Sequence, residues 1–203
     1  MKVGLTQALE HDRELVRIVD AASAEAVRRS GPYVVCRPGC AQCCYGPFAI
    51  TMLDAIRLRD GLRALEAADP QRANRIRARA AEYIKALSNA YPGDAGTGIL
   101  KPAGQFPPAF DNVPCPALDP DTRCCDLYDS RPITCRTFGP AAAQADGSIG
   151  ACELCYAGAS DEEIAACVVE SDPDGLESDL LAALEAGGMC GETIVAYALA
   201  LPW

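Results

Sequence analysis

CRPGCAQCC, residues 36–44, places Cys36, Cys40, Cys43 and Cys44 within nine residues. Two or three residues between most of these thiols let a loop wrap so that several sulfurs converge on one ion or cluster. A second region, CPALDPDTRCCDLYDSRPITCR at residues 115–136, adds Cys115, Cys124, Cys125 and Cys135, and CELC adds Cys152 and Cys155. Ten of the twelve cysteines therefore lie at ligand-like spacing, which scatter by chance does not produce. Cys167 and Cys190 stand alone beside C-terminal helices and read as small buried hydrophobes.

So many cysteines serve either a disulfide scaffold in an oxidising compartment or thiolate ligands in a reducing one. The N-terminal MKVGLTQALEHDRELVRIVD shows no apolar core and no small-residue cleavage site of the kind a secretion signal carries. The most apolar run, IVAYALALPW at residues 194–203, is too short to span a bilayer. A cytoplasmic location with reduced thiols is therefore expected. The chain has 203 residues with 50% hydrophobic and 23% charged, enough to bury a core and too apolar for wholesale disorder. A net charge of -10 repels phosphate backbones and anionic lipid, so neither nucleic acid nor membrane is an expected partner.

Around the cysteines the periodicity is helical, and the expected fold class is mainly α, with helices around a cysteine-rich, irregular metal-binding centre. Residues 6–29 place Leu15, Ile18, Ala22 and Ala26 on one face, and Gly31-Pro32 stops them. Thr51 and Asp54 form a capping-box start for a helix carrying Leu58, Leu62 and Leu65 to about Ala68. Asp69-Pro70 opens the next, whose stripe is Ala73, Ile76, Ala80, Ile84 and Leu87, so the two make a hairpin. Residues 91–114 hold five prolines and four glycines and read as an irregular connection. A short helix is expected over about Arg131–Phe138, and three more close the chain. The first of these starts at a Ser160–Glu163 capping box, the second ends at Gly187, and the last covers about Glu192–Leu201. The expected organisation is an N-terminal helix (1–35), a cysteine-cluster domain with its helical hairpin (36–158), and C-terminal helices packed on that domain (159–203).

Thiolates suit zinc, copper(I) and iron-sulfur clusters rather than magnesium or calcium. The single histidine, His11, lies outside the clusters on a charged helix and reads as solvated. Gly93 and Gly98 stand at the interval of a phosphate-binding loop, but Ile99 occupies the lysine position, which excludes nucleotide binding there. In the adjacent pairs Cys43-Cys44 and Cys124-Cys125, neighbouring side chains on an extended chain point to opposite sides. Either one thiol of each pair is spare or the pair straddles two centres; two four-sulfur sites and one polynuclear centre both remain open. Cys44 and Cys115 are 71 positions apart, and a shared centre clips that excursion shut. Structural metal binding contributes roughly 10 to 16 kcal/mol in small zinc domains, comparable to the stability of a fold. Four thiolates around one divalent ion leave a net charge of about -2, and Arg37, Arg123, Arg131 and Arg136 are the neighbouring cations expected to offset it.

CRPGCAQCC, TMLDAIRL, CPAL and CCDLYDSRPITCRTFG, in that order, resemble the CxxCxxCC family, the YkgJ-type bacterial cysteine-cluster proteins named for the zinc or iron they are suspected to chelate. The resemblance spans roughly residues 36–139, and its recurrent cysteines correspond to Cys36, Cys40, Cys43, Cys44, Cys115, Cys125 and Cys135. Cys124 is an addition, and three residues rather than two separate Cys36 from Cys40. Flagellin lysine methylase carries a similar cysteine domain associated with an iron-sulfur cluster, so the resemblance extends to an enzyme. The leading expectation is iron, as an iron-sulfur cluster or multinuclear site, held by those seven thiols with Cys124, Cys152 and Cys155 as further ligands. Two alternatives stand beside it. One is a structural zinc module presenting its helical surface to a protein partner, and the other an iron-sulfur enzyme of methyl-transfer or redox type.

Overall fold

A computed structural model describes residues 5–143 and 147–201. Its elements in chain order are α1 (Leu5–Ser30), β1 (Ile50–Thr51), α2 (Met52–Ala68), α3 (Pro70–Leu87), β2 (Gly93–Asp94), β3 (Ile99–Leu100), α4 (Ile133–Thr137), β4 (Ala142–Ala143), β5 (Ile149–Gly150), α5 (Asp161–Cys167), α6 (Leu176–Ala186), β6 (Glu192–Thr193) and α7 (Val195–Ala200). The protein is mainly α, as its periodicity predicts, and the strands form three two-residue antiparallel pairs. No described helix is long and apolar enough to cross a membrane.

Local chemistry sets the helix starts. The Thr51 hydroxyl accepts from the Asp54 N–H at 3.2 Å while the Asp54 carboxylate accepts from the Thr51 N–H, completing the predicted capping box. Asp69 caps α3 through the Arg72 N–H, with Pro70 in the first turn where a missing donor costs nothing. Ser160 and Glu163 repeat the capping box on α5.

Two predicted helices differ from those observed. Pro132 holds Arg131 in the extended region, so α4 begins at Ile133 instead of Arg131. Residues 192–193 are strand, not helix. They pair with Ile50–Thr51, and the Thr193 hydroxyl donates to the Gly98 carbonyl at 2.6 Å, which holds the chain extended until α7 starts at Val195. Pro202 and Trp203, which end the apolar IVAYALALPW run, lie outside the described residues.

The chain divides into two compact units, each assembled from separated stretches: Met1–Pro38 with Ile133–Gly187, and Gly39–Pro132 with Gly188–Trp203. In the first, α1 packs on α4, α5 and α6, burying Leu15, Val19, Leu180 and Leu184. Arg136, buried on α4, pairs with Asp20 of α1 at 2.7 Å, and its carbonyl accepts from the Ser23 hydroxyl.

In the second unit, α2 and α3 form the predicted hairpin and α7 lies against both. Leu58, Leu62, Ala73, Ile76, Ala80, Val195 and Leu199 make its apolar core, with Cys115 and Cys125 packed against that core. Gly98 finds its reason here. Its φ of +72° favours glycine, and a Cβ would stand 2.6 Å from the Tyr197 ring, so the residue is a packing necessity and not part of a phosphate loop.

Ile76 is fully buried at the centre of the hairpin. Ile76→Ala is expected to destabilise the protein by about 3 kcal/mol, through lost burial plus an unfilled cavity, read as a lower midpoint in urea denaturation.

Candidate metal centre

Backbone hydrogen bonds build the site in the second unit. The Cys115 N–H donates to the Cys44 carbonyl at 2.7 Å and the Gly46 N–H to the Val113 carbonyl at 2.9 Å, so Tyr45 bridges Pro114 in antiparallel fashion. The chain then folds back on itself. The Asp126 N–H donates to the Ala117 carbonyl at 2.7 Å and the Asp119 N–H to the Cys124 carbonyl at 2.9 Å, with Leu118 bridging Cys125. Two successive pairings thus carry Cys44, Cys115 and Cys125 into one neighbourhood.

The thiols there interact. Cys43 and Cys44 sit in a 3₁₀ turn over Gln42–Cys44, closed by the Cys44 N–H on the Ala41 carbonyl. That turn overrides the alternation of an extended chain, and the two side chains hydrogen-bond to each other. The bond from Cys44 pulls the Cys43 thiol down to about 7, aided by the Arg131 charge and opposed by burial. Cys44, as its partner, is driven up, and negative charge on Cys43, Cys115 and Cys125 pushes it further. Burial pushes Cys115 up to about 12, and it raises Cys125 as well. Cys43, Cys44, Cys115 and Cys125 are therefore one coupled set. Among the described residues, no three His, Cys, Asp or Glu side chains are already arranged to hold an ion.

Arginines fix the frame. Arg79 of α3 donates through Nε to the Pro116 carbonyl at 2.8 Å and through NH2 to Asp126 at 2.7 Å, while Arg72 takes the other Asp126 oxygen at 2.6 Å. One helix thereby holds the neighbour of Cys115 and the neighbour of Cys125. Buried Arg57 pairs with buried Asp54 at 2.6 Å and reaches the Arg131 carbonyl at 3.5 Å. Arg131 itself lies 3.8 Å from the Tyr128 ring centroid, and its charge acts on Cys43 and Cys125. Of the four arginines expected beside the ligands, Arg131 has this electrostatic reach. Arg123 donates to the Gly39 carbonyl, Arg136 serves Asp20 in the other unit, and Arg37 is exposed.

The remaining predicted ligands are placed as follows. Cys40 lies in the same unit two residues before the turn. Cys124 points its thiol at the Thr122 carbonyl, 3.6 Å away. Cys36, Cys135, Cys152 and Cys155 belong to the other unit. There Cys152 and Cys155 are buried with Cys167, Ala141 and Tyr156, the Tyr156 hydroxyl meeting Ser30 at 2.6 Å and accepting from the Ala141 N–H. The Cys152 N–H donates to the Gly139 carbonyl, and a Cβ on Gly139 would stand 2.8 Å from the Cys36 sulfur, so Gly139 holds Cys36 and Cys152 at one turn. Cys167 donates to the Glu163 carbonyl of its own helix, Cys190 is exposed, and so is His11.

The residues that position the site escaped the sequence reading. Arg72, Arg79 and Tyr83 of α3 and Asp126 carry no motif. Their signal is a pair of arginines seven residues apart on α3 and a carboxylate directly after Cys125.

A family model described as "CxxCxxCC: Putative zinc- or iron-chelating domain" matches residues 35–157. The chain belongs to this family. The CxxCxxCC domain takes in all ten clustered cysteines and leaves out Cys167 and Cys190. Membership in the CxxCxxCC family supports metal binding as the general property of the chain. No curated protein and no solved structure matches it.

The Asp126 carboxylate is 1% exposed and serves two guanidinium groups. Asp126→Ala is expected to cost about 2 kcal/mol, less than a fully buried pair because both arginines reach solvent, and thermal denaturation of the metal-free protein measures it.

Proposed function

We propose that the protein holds iron, as an iron-sulfur cluster, through Cys43, Cys44, Cys115 and Cys125. What supports this reading is the frame of backbone hydrogen bonds and α3 arginines that brings the backbones of Cys44, Cys115 and Cys125 together, with Cys43 next to Cys44 in the same turn. The donor set is all sulfur, which suits iron-sulfur clusters and zinc alike. The adjacent pair favours the cluster. Zinc ligands stand two or more residues apart, since neighbours joined by one planar peptide meet a single ion only with strain. A polynuclear core would offer the two sulfurs of the Cys43-Cys44 pair separate metal atoms. Arg131 supports the reading as the cation that offsets thiolate charge at Cys43 and Cys125. A bound cluster supplies one-electron chemistry or a structural clip, and this chain's part is to shield its sulfurs and set their charge.

The second reading is a structural zinc module with the same four ligands, presenting its surface to a protein partner. Its support is the family description, which names zinc beside iron.

Anaerobic purification followed by metal and acid-labile sulfide analysis separates the two. Iron with matching sulfide and a brown visible spectrum is expected. Colourless protein with stoichiometric zinc and no sulfide overturns the cluster, and protein with neither metal overturns both readings.

Single exchange of Cys43, Cys44, Cys115 or Cys125 for Ser is expected to lower metal content and unfolding temperature together, while Cys190→Ser alters neither. Elemental analysis paired with thermal melts checks this. Full metal content in any of the four variants removes that residue from the ligand set.

A further inference from the structure

Tyr83 stands on α3 one turn beyond Arg79, so the two side chains share a helix face. Arg79 holds the Pro116 carbonyl, and Tyr83 lines a cavity of about 10 Å³ with Cys115, Phe48, Pro116, Ile194 and Val195. Among the residues that line it, Tyr83 and Cys115 are the two whose side chains carry a polar atom. Tyr83 is 7% exposed, and its hydroxyl is a buried side-chain polar atom with no hydrogen-bond partner among the described residues. Buried hydroxyls are ordinarily bonded, so an orphan calls for a missing acceptor. The other two tyrosines of this core show the rule: Tyr91 donates to the Gly98 carbonyl at 2.6 Å and Tyr197 to the Ala95 carbonyl at 3.1 Å.

We propose that Tyr83 donates a hydrogen bond to the Cys115 sulfur once that sulfur is a metal-bound thiolate. The proposal rests on Cys115 being a metal ligand, as argued above. A neutral thiol is a weak acceptor, and a thiolate is a strong one, so the orphaned donor has its partner in the loaded site. The bond serves two ends. It fixes the sulfur's orientation, and it withdraws charge from it, which favours the reduced state of a cluster and slows ligand release. Tyr83 is thus a positioning residue that acts through Cys115.

The test compares wild type, Tyr83→Phe and Tyr91→Phe, each melted metal-free and then loaded anaerobically with zinc(II) or reconstituted with iron and sulfide. Tyr83→Phe removes an unpartnered hydroxyl, so its metal-free unfolding temperature is expected to match or exceed wild type. Loaded, it is expected to release metal to excess chelator about tenfold faster, and its iron form to have a more negative reduction potential. Tyr91→Phe should do the reverse, lowering the metal-free melt and leaving release unchanged. Release from Tyr83→Phe within about twofold of wild type, as when a lone water fills the cavity, overturns the proposal, and so does a metal-free melt lowered as in Tyr91→Phe. Wild type that holds neither metal overturns the metal-centre reading itself, a failure separate from the first two.

Discussion

The hydrogen bond from the Cys115 N–H to the Cys44 carbonyl is the constraint on which the site depends. It closes a long excursion in which α2, α3 and the proline-rich connection all lie, and so it requires the hairpin to deliver its ends to one place. Closing so long a loop is entropically costly, though the cost grows only slowly with length. The offset comes from the apolar core of the hairpin, where Leu58, Leu62 and Ile76 are almost wholly buried. Core packing therefore precedes thiol convergence in the chain of causes. The cysteine backbones come together because the helices deliver them there.

Charge follows the same logic. The chain is acidic as a whole, yet three of its arginines clamp the cysteine-bearing segments of this unit: Arg57 reaches the Arg131 carbonyl, Arg79 the Pro116 carbonyl, and Arg72 and Arg79 together Asp126. These guanidinium groups act mainly as multidentate clamps on main chain and carboxylate, a task for which a planar fork of donors is suited and an ammonium is not. The charge of Arg131 is felt at the Cys43 and Cys125 sulfurs.

Much of the fold was legible because its signals are local. Capping boxes at Thr51 and Ser160 and the Asp69-Pro70 start need only a few consecutive residues, and all three are used as read. Cysteine spacing identified the family by the same local route. Long-range partnerships were not legible. Nothing in TIVAYALA says that Thr193 leaves a helical run to bond Gly98, or that residues 192–193 pair with β1. Among ten candidate thiols, spacing could not tell that Cys43 and Cys44 share one side. That depends on a 3₁₀ turn in place of the extended chain that adjacency alone implies. Cys152 and Cys155, equally ligand-like in spacing, are packed into an apolar cluster of the other unit with Cys167.

The metal-free thiols are mutually frustrated, and the frustration has a direction. Cys43 is drawn toward the thiolate by Cys44, while Cys44, Cys115 and Cys125 are all held protonated by burial or by one another's charge. A first thiolate makes each further one harder to form, so the set alone does not reach the fully ionised state that soft-metal ligation needs. A cation removes the obstacle, because its charge replaces mutual repulsion with attraction and lets the protons leave together. An orphaned hydroxyl beside Cys115 fits this picture, being a donor that costs stability when the sulfur is neutral and gains a partner when it is charged. The unit is thus folded by its core, while its sulfurs are left electrostatically opposed to one another.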